Sequence, residues 1–200
     1  MDAPDVIAGL AGISRGSALD RLRDRRPVAK AQSQRTFEAL FEPEDATAMP
    51  VAERYAVAAF VAGLHGPSAT SDFYAGRMAP EHRTAVLAAI SAGAGRGPYG
   101  RFPAGQLTRE DTEGPVFSAG AQAGELAGEL GQRLAAALTH AHMLVFAPRD
   151  AAPGHLRALE AAGWSADGIV TLSQLVAFLS FQVRVADGLR HLGADLEQRQ

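Results

Sequence analysis

Two hundred residues, 47% apolar and 20% charged, suit one soluble globular domain, or two small ones, with room for a core. Nineteen basic against twenty-two acidic side chains leave a formal charge of −3, which offers no electrostatic footprint for nucleic acid or an anionic membrane surface. The chain has no cysteine, so disulfides, thiolate metal sites and thiol redox chemistry are excluded from it.

The opening Met1-Asp2-Ala3-Pro4-Asp5 carries no basic, apolar leader, and no apolar run approaches the ~18 residues needed to span a bilayer. The expected address is therefore the cytoplasm. Residues 5–43 read as two short helices, one capped by Ser17 and one opened by Pro27. Arg21, Arg23, Arg25 and Arg26 alternate with Asp20 and Asp24, a self-neutralised helix end. Pro50 opens a helix whose Val57, Phe60, Val61 and Leu64 recur at helical spacing, with Tyr55, Ala58, Ala59 and Ala62 opposite. An alanine-lined second face lets another helix approach closely, so this helix is expected to be sandwiched.

A helix over roughly 80–91 should point Val86, Leu87 and Ile90 inward. Residues 91–120 are too rich in Gly and Pro for a regular element and are expected to form a functional or interface loop joining two helical halves, 1–91 and 120–193, of a single domain. Helix resumes from about 121 to 147, weakened by Gly124, Gly128 and Gly131. A short amphipathic helix then carries Leu156 and Leu159 inward. The last helix, capped by Ser165 and running to about His191, is apolar on most of its circumference and reads as the centre of a bundle. No strand pattern appears, and the chain is read as all-α.

Chemistry-bearing residues are few. Gly95-Arg-Gly-Pro-Tyr-Gly100 spells a dinucleotide fingerprint but lacks the preceding strand, so no nucleotide cofactor is expected. His140 and His142, two apart on a helix, point to different faces and lack a partnering acid, so no metal site is expected. Gln174 and Gln182 lie within or beside apolar faces, where buried amides must find partners in a polar network or a ligand. Arg184 and Asp187 are spaced for an ion pair.

Two stretches, "PVAERYAVAAFVAGLHG" and "GWSADGIVTLSQLVAFLSFQVRVADGL", resemble the carboxymuconolactone decarboxylase / alkylhydroperoxidase D-like superfamily, in its peroxidase-related branch. The resemblance implies an alkylhydroperoxidase D-like helical bundle that assembles as a homo-oligomer. Ungapped alignment of Ala52-Glu53-Arg54 puts Tyr55 where the family has its catalytic Glu, Pro67 and Thr70 where it has the two cysteines, and Tyr74 where it has its proton-relaying His. Proline and threonine cannot replace a thiolate nucleophile, so thiol peroxidase activity is not expected to carry over. Three readings follow. The first is a small organic molecule bound in the remnant site, lined by Tyr55, Thr70, Gln174 and Gln182. The second is a thiol-independent, cofactor-free lyase of the decarboxylase type using His65 and Tyr74 as acid–base groups. The third is a structural subunit paired with a cysteine-containing paralogue.

Overall fold

A computed structural model describes residues 5–122 and 127–198. The chain is all-α, with helices α1 (Val6–Ala11), α2 (Ala18–Asp24), α3 (Pro27–Phe41), α4 (Val51–Leu64), α5 (Ala69–Arg77), α6 (Pro80–Gly93), α7 (Ala119–Gln122), α8 (Ala127–Phe146), α9 (Pro153–Ala161) and α10 (Ala166–Gln198). Among the described residues no strand forms; one antiparallel bridge pairs Gly100 with Thr112.

The N-terminal region holds three helices where the sequence suggests two. Asp5 accepts the Ala8 amide at 3.1 Å and nucleates α1, a six-residue helix too short to show a period. Ser17 caps α2 as expected, and Ser68 and Ser71 bond each other's backbone amides in a reciprocal box that starts α5.

α4 is the centre of the bundle. Ala56 through Ala62 are all buried, and α5, α6, α8 and α10 pack around the helix. Its small residues set the spacing: a Cβ placed on Gly63 would lie 2.7 Å from Ile90 Cδ1 on α6. Phe60 stacks on Phe117 with ring centroids 5.7 Å apart.

Arg133 on α8 staples the bundle. Its Nε donates to Glu53 at 3.0 Å, Nη1 to the Gly163 carbonyl at 2.7 Å and Nη2 to the Ala48 carbonyl at 2.9 Å. The guanidinium lies 3.9 Å above the Trp164 ring, whose indole N–H returns to the Arg133 carbonyl at 3.0 Å.

Some expected details differ. Leu87 and Leu156, 48% and 45% exposed, face outward rather than into the core: Leu87 lies about 100° around α6 from the buried Val86, and Leu156, one turn from the buried Leu159, stands where the packing of α9 leaves it uncovered. Arg184 donates to the Ser180 carbonyl instead of pairing with Asp187, which pairs with Arg190. α8 is interrupted at Gly131 (φ 68°, ψ 159°), a left-handed conformation that favours glycine, whereas Gly124 lies outside the described residues. The glycine-rich segment shortens to 94–118, contains a 3₁₀ turn over Gln106–Glu110, and is tied to the end of α8 by Tyr99 N–H donating to the Phe146 carbonyl at 2.5 Å. α10 runs beyond His191, and over Ala166–Leu196 it is long and apolar enough (hydropathy 1.6) to cross a membrane, contrary to the expectation that no run approaches that length. Half of that window is buried in the bundle against α1, α4 and α8, which accounts for its apolarity as that of a core helix.

Candidate functional site

The residues nominated from the sequence divide into three places. Thr70 and Tyr74, one turn apart on α5, are both fully buried. The Tyr74 hydroxyl donates to Gln182 Oε1 of α10 at 2.5 Å, and its ring packs 5.3 Å from Phe41, which in turn lies 4.9 Å from half-buried Tyr55. Burial pushes the Tyr74 phenol well above its ordinary value, only partly opposed by the Gln182 hydrogen bond. Gln182 Nε2 and Thr70 Oγ1 are enclosed without any hydrogen-bond partner. The position that the resemblance assigns to thiol chemistry is thus a buried polar knot, joined to α10 through Tyr74 and Gln182.

His65 stands apart, at the C-terminal cap of α4, with no hydrogen bond to Tyr74 and its Nε2 enclosed and unpartnered. Burial lowers its pKa, the Arg184 charge lowers it further, and Asp187 opposes. Gln174 is exposed on α10 and lines a groove against α3, away from Tyr74.

A cavity of about 770 Å³ lies elsewhere, between α8, α9 and residues 114–120. Its size is that of pockets that hold drug-sized molecules. His65, Tyr55, Thr70, Tyr74 and Gln182 do not line it. Phe117, Ala136, Met143, Phe146 and Leu159 supply apolar wall, and both His140 and His142 face into a lining that the helix alone could not offer them. Two residues two apart point to different sides of a helix. Both are nonetheless buried, because α8 is covered on both sides.

The polar groups around this cavity are mostly spent. His142 donates its Nε2–H to the Gly93 carbonyl at 3.0 Å and stacks 4.5 Å from Phe117. The Thr139 hydroxyl donates to Ala135 and accepts from the Ala119 amide. Tyr99 Oη accepts from the Arg96 amide, and Asp150 accepts from the Arg101 amide. His140 is the exception: it is 6% exposed, and its Nδ1 is enclosed with no partner. Burial lowers its pKa, with His155 adding to the effect, so at neutral pH the imidazole is uncharged.

Three histidines, His65, His140 and His142, therefore resist protonation in the fold. As pH falls through the ordinary histidine value of 6.5, the unfolded chain takes up protons that the native chain refuses, and stability falls. The melting temperature is expected to hold from pH 8 to 7 and to drop below about 6.5, the unperturbed histidine pKa. His140→Gln should flatten part of that drop; a profile unchanged by the substitution would contradict the assignment.

Sequence reasoning had marked His140 and His142 only as a poor metal pair. The signal available was their placement in an otherwise apolar run, Leu134 to Phe146, which marks interior histidines. Among the described residues no group of three His, Asp or Glu side chains stands close enough to hold a metal ion. No family model, no curated protein and no solved structure matches this chain.

Proposed function

We propose that the protein is a cysteine-free relative of the carboxymuconolactone decarboxylase / alkylhydroperoxidase D-like superfamily that binds a small, neutral, largely apolar organic molecule. The binding place is the cavity between α8, α9 and residues 114–120, not the Tyr74–Gln182 knot. The observation that carries this reading is His140 in a largely apolar wall: its Nδ1 is enclosed, but its Nε2 makes no hydrogen bond and is not among the enclosed atoms, which leaves it open to the cavity. A polar atom that the protein leaves unpartnered but a ligand can reach gains free energy from a bound hydroxyl or similar group.

The uncharged state of His140 and the carboxylate of Asp150 among the lining residues both disfavour an anion. Support for the family reading comes from the helix order: the Ala52-Glu53-Arg54 helix leads into a short helix, α5, whose Tyr74 bonds Gln182 of the closing helix α10.

The test is a fluorescence titration with 2-naphthol, a neutral aromatic alcohol. Saturable binding is expected, weakened about tenfold by His140→Leu, the size of one ordinary hydrogen bond. Ala136→Trp, which fills the cavity, should abolish it. Absence of saturation, or binding indifferent to Ala136→Trp, would overturn the reading.

A further inference from the structure

We propose that the groove between α3 and α10 is a second binding site, for a small organic carboxylate with an apolar body, anchored by Arg54. The groove encloses about 690 Å³ and is lined by Arg35, Thr36, Arg54, Gln174, Phe178 and Phe181, among others.

Arg54 is 4% exposed, an unusual place for a permanent cation. Its Nε donates to the Met49 carbonyl at 2.8 Å, and Nη1 donates to the carbonyls of Leu40 at 2.7 Å and Ala39 at 3.4 Å. Those last two belong to the C-terminal turn of α3, whose partial negative charge suits a guanidinium. The carbonyls satisfy three of its five N–H groups and supply no formal charge. Nη2 makes no hydrogen bond and is not among the enclosed atoms, which leaves it open to the groove that Arg54 lines.

The nearest acidic influence is Asp45, which is beyond ion-pair distance and whose carboxylate is engaged with the Thr47 amide at 2.8 Å. Arg35 and Arg54 against Asp45 leave the lining with one net positive charge. A buried cation without a counter-ion is costly, and an anion delivered to its open face relieves that cost.

The other polar groups narrow the ligand. The hydroxyls of Thr36 and Thr171 already donate to the Gln32 and Asp167 carbonyls. Gln174 is exposed, and its amide makes no hydrogen bond within the protein, so it can donate to a second carboxylate oxygen. Phe178 and Phe181, with centroids 6.4 Å apart, offer an aromatic flank. One open guanidinium edge, one amide and two rings fit a monoanionic aromatic carboxylate.

The experiment titrates the full chain with 2-naphthoate and with its neutral isostere 2-naphthamide, followed by calorimetry and by the Arg54 Nε–H resonance. Naphthoate is expected to bind saturably and shift that resonance, and the amide to bind about tenfold or more weakly, since charge-assisted hydrogen bonds are roughly twice as strong as neutral ones. Gln174→Glu changes an exposed residue and leaves the core intact. It should weaken naphthoate about tenfold, with little effect on the amide. Equal binding of acid and amide, or naphthoate binding untouched by Gln174→Glu, would overturn the proposal. So would loss of naphthoate binding in Ala136→Trp, which would put the acid in the other cavity. The two sites therefore fail independently.

Discussion

Phe60→Ala is expected to cost about 3–5 kcal/mol of stability, the range for removing a fully buried phenylalanine. At 2–4 °C per kcal/mol for a chain of this size, the melting temperature should fall by roughly 6–20 °C. The position explains the magnitude. Phe60 is fully buried at the middle of the helix that four others surround, so the walls of the resulting void belong to rigid elements that cannot collapse into it. It also begins an aromatic series: Phe60 on Phe117, Phe117 on His142 at 4.5 Å, His142 against Phe146 at 4.8 Å. The same substitution should therefore weaken 2-naphthol binding, since Phe117, His142 and Phe146 line the cavity. Leu87→Ala, at an exposed apolar position on α6, should change stability by no more than about 0.5 kcal/mol. Thermal unfolding of the two variants side by side checks both, and a Phe60→Ala loss no greater than the Leu87→Ala loss would contradict the sandwiched placement of α4.

Tyr74→Phe and Gln182→Leu are each expected to cost about 1–3 kcal/mol, while the double substitution costs less than either. Removing the phenol leaves the Gln182 amide wholly unpartnered in the core, and removing the amide strands the phenol. Removing both leaves apolar groups of similar shape, which satisfies the core without a hydrogen bond. The present pair is already incomplete, because Gln182 Nε2 has no acceptor. A double-mutant cycle by chemical denaturation measures the coupling. Additive losses would mean that Tyr74 and Gln182 do not act on one another. A double variant as stable as the native chain would mean that the fold does not need these polar groups for its stability.

The helical core was legible in the sequence because it rests on local chemistry. The spacing of Val57, Phe60, Val61 and Leu64, the serine caps and the prolines at first turns all act within a few residues, and the elements follow them. The alanines opposite that stripe announced that α4 would be covered twice. What was not legible depended on where helices cross. Leu87 and Leu156 satisfy a helical period yet face outward, because period specifies a face but not whether a neighbour reaches it. Gln182 was recognised as a buried amide, but its partner Tyr74 stands 108 residues away. Gln174, only eight residues earlier on the same helix, falls beyond the reach of the core. The large cavity was the most hidden feature: its wall is assembled from α8, α9 and the end of a glycine-rich segment, and no single stretch carries a pattern for a void.

The position of α4 between α8 and α10 has a consequence for how the molecule can be divided. α4 belongs to the part of the chain before the glycine-rich segment, as do α5 and α6, while α8 and α10, which cover its remaining sides, belong to the part after. Arg133 adds polar ties across the same boundary, to Glu53 and to the carbonyl of Ala48. Each part is expected to leave apolar surface uncovered without the other, so calorimetry should find a single unfolding transition for the whole bundle. Residues 103–116, by contrast, are exposed throughout. A single backbone cut there is expected to sever the covalent connection but leave the interlocked helices holding each other, as two strands of a splice hold after the binding is removed.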